Sequence, residues 1–193
     1  MGGVTISSFL RILVDFSDEE LKEILSHFQK EEIPKNQPLV KQGQICRKLY
    51  FVEKGIGRNF YLNSDGKEIT QLFFGEGRFM TSLESFFQES ASLYYVELLE
   101  DSVIYSISKE ELDLLFDKYH KMERLGRLLA TEMLTKVVHK INAIQFQTAM
   151  ERYEYMLTEY PDIIYRVPLG MIASYLGMSQ ETLSRIRKKK MRE

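Results

Sequence analysis

Cysteine, histidine and proline are scarce in this 193-residue chain, and tryptophan is missing altogether. Cys46 stands alone, so no internal disulfide and no four-thiolate metal or iron–sulfur site can form. A reducing, cytoplasmic home is the simple expectation. His27, His120 and His139 lie far apart without a metal-ligand spacing, and no metal site is expected. No run approaches the roughly 20 apolar residues of a membrane span. Met1 to Phe16 lack the charged leader, apolar run and small-residue cleavage site of an export signal. A Gly-rich phosphate loop, a nucleophile elbow, a His-containing triad and credibly paired acids are absent too, so no enzyme is expected. The formal net charge of -2 gives the whole chain no general attraction for nucleic acid or anionic membrane.

What is present is ordinary in amount and uneven in arrangement. A 44% hydrophobic and 28% charged composition is that of a globular protein, long enough for one large domain or two small ones. Ser17 with Glu20 forms a capping box, followed by Leu21, Ile24, Leu25 and Phe28 at helical spacing. Pro34 and Pro38 end that segment. From about Leu39 to Ser108 the pattern becomes short strands: Leu49–Val52, Arg58–Leu62, Glu68–Phe74, Leu93–Leu98 and Ser102–Ile107. Asn63–Ser64–Asp65–Gly66 reads as the turn of a hairpin, and glycines punctuate the rest. Such a series predicts a compact antiparallel roll.

After Ser108 the pattern is helical. Ser108 with Glu111 starts a helix to about Lys118. Met122, Leu125, Leu129, Met133, Val137, Ile141 and Ile144 then recur at steps of three and four. A run this long exceeds what one small core needs, and it predicts a helix that pairs with its own copy in a homodimer; the competing reading is a surface helix packed along the roll. Leu125, Leu129, Met133, Val137, Ile141 and Ile144 are the expected dimer residues. A further helix covers Thr148 to Glu159, stopped by Pro161. The fold class is α+β: a roll over residues 1–118, a dimerisation helix over 119–147 and a helical domain over 148–193.

The segment Val167–Arg187 carries the chemistry. Ile172 and Leu176 anchor a first short helix, small Ala173 lets a second helix cross closely, and Gly177 permits the positive φ of a tight turn. Ser179 caps the second helix, with Met178, Leu183 and Ile186 facing inward. This is the pattern of a helix-turn-helix, whose second helix enters the major groove of double-stranded DNA. Gln180, Glu181 and Arg185 are polar residues on or near one face: Arg donates bidentately to guanine, Glu accepts from cytosine, Gln pairs with adenine. Ser179, Thr182, Arg187, Lys188 and Lys189 are placed for phosphate. The basic run extends through Lys190 and Arg192, opposed by Glu193 alone. The alternative is a ligand- or protein-binding roll whose terminal helices serve protein interaction.

Met178–Ser179–Gln180–Glu181–Thr182–Leu183–Ser184–Arg185 resembles the recognition helix of the Crp/Fnr family, the cAMP receptor protein type of bacterial transcription regulator. The order of β-roll, long helix and helix-turn-helix is similar over nearly the whole chain, and Ile144 to Arg152 resembles the family's junction. The resemblance implies a homodimer on a two-fold operator, base reading by Gln180, Glu181 and Arg185, and RNA polymerase as a partner. Two features depart from the family. Laying Gly77–Arg78–Phe79–Met80 against its cyclic-nucleotide segment puts Ser82 where relatives carry a ribose-binding Glu, and Ser92–Leu93 where they carry the phosphate-binding Arg-Ser pair. Val137 and Val138 replace hydroxyl residues near the purine. A phosphate needs a fixed cation, and no arginine lies between Arg78 and Arg124. Neither cAMP nor cGMP is therefore expected, and no other cofactor is indicated. Phe86, Phe87, Tyr94 and Tyr95 are expected to fill or line the vestigial pocket. With Met191, Arg192 and Glu193 alone after the basic run, no room is expected for the family's β-hairpin wing.

Overall fold

Several of the helices begin where a hydroxyl accepts a backbone N–H three residues on. In the computed structural model, which describes residues 4–190, Thr5 opens α1 (Ile6–Leu13) in this way, and Ser17 opens α2 (Asp18–Ser26) with the full capping box to Glu20. There follow β1 (Gln29–Ile33), β2 (Pro38–Val40), β3 (Lys48–Lys54), β4 (Gly57–Leu62), β5 (Glu68–Phe74), β6 (Arg78–Met80), α3 (Leu83–Gln88), β7 (Tyr95–Leu98) and β8 (Ser102–Ser108). Ser108 caps α4 (Lys109–Lys118) through the Glu111 N–H. Tyr119 is extended and breaks the chain from α5 (His120–Phe146). Thr148 makes a second capping box for α6 (Ala149–Glu159), and α7 (Ile163–Arg166), α8 (Leu169–Tyr175) and α9 (Gln180–Lys190) complete the order. None of these helices is long and apolar enough to cross a membrane.

The α+β class is as expected. The strands form two four-stranded sheets in the orders β1-β8-β3-β6 and β2-β7-β4-β5. In the first, antiparallel pairing sets Tyr50 opposite both Ser106 and Met80. Phe51 and Val52 of β3, Met80 of β6, Phe86 of α3, Val96 and Leu98 of β7, and Ile104 and Ile107 of β8 are buried together as the core. The chain divides into two compact units. One contains the residues up to Asn59 and Phe73–Thr131; the other contains the hairpin Phe60–Leu72 and the residues from Glu132 on. Met191, Arg192 and Glu193, on which the expectation of a missing wing turns, lie outside the described residues.

Three expectations need correction. Strands begin at Gln29 and not near Leu39, because β1 is a sheet edge and its sequence, Gln-Lys-Glu-Glu-Ile, shows no apolar alternation. The helix expected to reach Phe28 stops at Ser26. Leu125, expected at a dimer seam, is 3% exposed within the first unit beside buried Met122, so it packs inside its own chain. The exposed apolar face of α5 comes later, at Leu134, Val137, Val138, Ile141, Ile144 and Phe146. Leu129 and Met133 lie half-buried between the two stretches.

Inside the first unit a charged pair spans β4 and β7. Arg58, 2% exposed, donates through Nε to Glu97 Oε1 at 2.7 Å, with a second guanidinium nitrogen at the same distance. A buried cation stripped of water is tolerated because this fork satisfies it. Removing one partner leaves the other uncompensated. Arg58→Met should cost about 3 kcal/mol in urea denaturation, and adding Glu97→Leu should recover most of it. A single variant as stable as the parent would show that the pair holds nothing together.

Candidate nucleic-acid interface

The pair of helices α8 and α9 lies in the second unit and is built from short-range geometry. Gly177 takes φ +65 between α8 and α9, a value that strains any L side chain. The Met178 N–H reaches back to the Ala173 carbonyl at 3.0 Å, closing the turn. Ile172, Ala173, Leu176 and Leu183 are buried, so the two helices cross on small and branched residues as the sequence predicts. Met178 and Ile186 are half-buried. Ser179 accepts the Thr182 N–H at 3.1 Å, and the two hydroxyls lie 3.1 Å apart. Gln180, Glu181, Arg185, Lys188 and Lys189 are exposed, and Thr182 and Arg187 partly so. The Glu181 carboxyl is held below its usual range by a hydrogen bond to Ser179, by its own helix N-terminal N–H, and by the positive charges of Arg185 and Lys67. Lys67 sits at the tip of the hairpin, where Asn63 accepts the Asp65 and Lys67 N–H groups at 3.0 and 2.9 Å.

Other residues of the same unit fix α8. Arg152 of α6 donates to the Leu176 carbonyl, which ends α8, and to the Gln147 carbonyl, both at 2.9 Å. The Thr70 N–H of β5 donates to Ser174 Oγ of α8 at 3.1 Å. Lys140 of α5 donates to the Gln71 carbonyl, and its ammonium lies 4.4 Å from the centre of the Tyr175 ring. Burial holds the pKa of Lys140 down at about 8. The same burial raises that of the Tyr175 phenol to about 12. Local sequence gave no signal for these contacts: Ser174 and Thr70 are 104 positions apart.

In the first unit, the positions laid against the cyclic-nucleotide site do come together, but on each other. Ser92 Oγ lies 2.7 Å from Ser82 Oγ and 2.7 Å from the Tyr94 carbonyl, and it accepts the Tyr94 N–H at 3.1 Å. Both serines are buried, at 1% and 2% exposure. The buried arginine of this unit, Arg58, is bound to Glu97. These residues do not fit a cyclic phosphate: two hydroxyls bonded to one another supply no positive charge. Of the four aromatics expected around the site, Phe86 is buried. Phe87, in edge contact with it at 5.0 Å, is half exposed, and Tyr94 and Tyr95 are intermediate.

Known proteins agree with this architecture. Residues 30–119 match the family model of the cyclic nucleotide-binding domain. The chain is 24% identical over 172 residues to the cyclic AMP receptor protein of Thermus thermophilus, covering 87% of this chain and 79% of that relative. The solved catabolite activator protein of Thermus thermophilus superposes with a TM-score of 0.59 at 24% identity, over 94% of this chain and 86% of that one. FixK2 of Bradyrhizobium japonicum gives 0.73 at 19% identity, over 84% and 83%. CLP, the c-di-GMP-responsive global regulator of Xanthomonas campestris, gives 0.69 at 18% identity, over 91% and 92%.

The depressed Lys140 pKa carries a pH signature. Below about pH 8 both folded and unfolded chains hold the proton, and the burial penalty is constant. Between about 8 and the ordinary 10.5 the unfolded chain alone stays protonated, so stability rises with pH across that window. The shift corresponds to a penalty on the order of 3 kcal/mol. Lys140→Met should therefore melt no lower than the parent at pH 7, and its advantage should shrink by pH 10. A drop of several degrees at pH 7 would show that the contacts to Gln71 and Tyr175 outweigh desolvation.

Proposed function

We propose that this chain, which is of the Crp/Fnr type in sequence and fold, is a sequence-specific DNA-binding transcription regulator that acts as a homodimer and is not controlled by cAMP. The observation that carries the reading is the outer face of α9. Gln180, Glu181 and Arg185 are exposed on a helix whose opposite side is anchored by fully buried Leu183, so they are offered together and at a fixed angle. In the major groove Arg185 reads guanine O6 and N7, Glu181 accepts from cytosine and Gln180 pairs with adenine. Ser179, Thr182, Arg187, Lys188 and Lys189 take phosphates on either side.

The same reading gives α5 a partner. Leu134, Val137, Val138, Ile141 and Ile144 recur at helical spacing and are exposed, Leu134 by 64%. A continuous apolar stripe of this kind is buried by pairing with its copy. The two-fold axis then sets two α9 helices about one turn of DNA, roughly 34 Å, apart on a palindromic operator. RNA polymerase in the cytoplasm is the partner such a regulator acts through.

Three measurements test these roles. Arg185→Ala should lose about 1–3 kcal/mol of operator binding by fluorescence anisotropy while retaining most of its affinity for unrelated duplex; an undiminished preference for the operator removes Arg185 from base reading. Log affinity should also fall steeply and linearly with log salt, because phosphate neutralisation releases counterions. For the dimer, Leu134→Glu with Val138→Glu should sediment as a folded monomer, and a mass that stays dimeric would rule out α5 as the seam.

A further inference from the structure

A cleft in the second unit is lined by α5, α6, α8 and Leu72 of β5. Its walls include Leu72, Met156 and Leu176, and three cations: Lys136, Lys140 and Arg152. Lys136 is balanced by carboxylates, lying 3.1 Å from Glu132 and 3.9 Å from Glu159. The other two are held differently. Lys140 donates to the Gln71 carbonyl, and Arg152 to the carbonyls of Leu176 and Gln147. Carbonyl oxygens orient a cation without neutralising it. Two positive charges thus border an apolar cleft, and a guanidinium with five N–H donors has spent two of them.

An apolar concavity with a few convergent polar groups is the form of a small-molecule site, and the one carboxylate on this wall, Glu159, lies by Lys136 and away from the carbonyl-held pair. From this we infer that the cleft binds a small organic carboxylate, with its charged head on Lys140 and Arg152 and its apolar body against Leu72, Met156 and Leu176. A carboxylate matches the planar guanidinium fork and loses less hydration than a phosphate dianion on entering an apolar wall. The consequence for DNA rests on the function proposed above. Arg152 holds the carbonyl that ends α8, and Lys140 holds β5, whose Thr70 binds α8. A carboxylate that draws both cations from their carbonyls loosens the grip on α8 and changes operator affinity.

Binding is tested without DNA, so failure of the site and failure of the DNA reading are separable. The full chain is titrated with benzoate and with octanoate, with acetate, inorganic phosphate and cAMP as comparisons, and followed by thermal melting and calorimetry. Saturable binding of benzoate or octanoate with a Kd near or below about 1 mM, a raised melting temperature, and no comparable effect of acetate or phosphate is the expected result. Lys140→Met should weaken that binding at least tenfold, and Lys140→Arg should largely restore it. No saturable binding of either acid, equal binding by Lys140→Met, or equal binding of phosphate or cAMP would overturn the inference. With the site confirmed, an operator titration at saturating benzoate should show a shifted Kd. An unchanged Kd would overturn the coupling to α8 while leaving the site in place.

Discussion

The backbone N–H of Thr70 is buried, and it finds its acceptor in the Ser174 hydroxyl of α8. An N–H without an acceptor in such a place costs roughly 1–3 kcal/mol, so the hairpin end of an edge strand must be met by something, and here it is met by the first helix of the α8–α9 pair. Ser174 Oγ in turn donates to the Met171 carbonyl at 2.9 Å, so one hydroxyl serves β5 and α8 together. Lys140 adds α5 through the Gln71 carbonyl, and Arg152 adds α6 through the end of α8. The second unit is a closed set around α8, and this explains why residues 60–72 group with the helices from Glu132 on. The angle at which α9 is offered follows from it, since α9 is tied to α8 by the Gly177 turn and by buried Leu183.

The interior of the first unit has taken the opposite course from a nucleotide site. At the two positions laid against a ribose-binding carboxylate and a phosphate-binding arginine, this chain has two serines hydrogen-bonded to each other. Its buried arginine is spent on Glu97. Both arrangements are complete in hydrogen bonding and leave no charge for a phosphate. In the second unit, by contrast, Lys140 and Arg152 are held by carbonyl oxygens, which orient a cation without neutralising it.

What was legible in the sequence was local. The caps at Ser17, Ser108 and Ser179 each act within three residues, and all three stand where the sequence puts them. The Asn63–Gly66 turn, Gly177 and the small Ala173 are likewise decided by neighbours in the chain. Periodicity correctly gave α5 an apolar stripe, but it carries no information about what covers each turn; Leu125 is covered by the rest of its own chain and Leu134 is not. The polar edge strand β1 and three-residue β6 have too little alternation to be read. Arg58 with Glu97, Lys140 with Gln71, and Thr70 with Ser174 join residues 39, 69 and 104 positions apart. No spacing rule reaches them.

On the function proposed above, α9 reads DNA while the roll does not respond to cyclic nucleotide. The most direct test of that function is selection of bound fragments from a genomic or random duplex pool by the purified chain, with and without cAMP, followed by sequencing. The account predicts one palindromic motif, enriched equally in both pools. Enrichment with cAMP alone would contradict the reading of Ser82 and Ser92, and no enrichment in either pool would contradict the role given to α9.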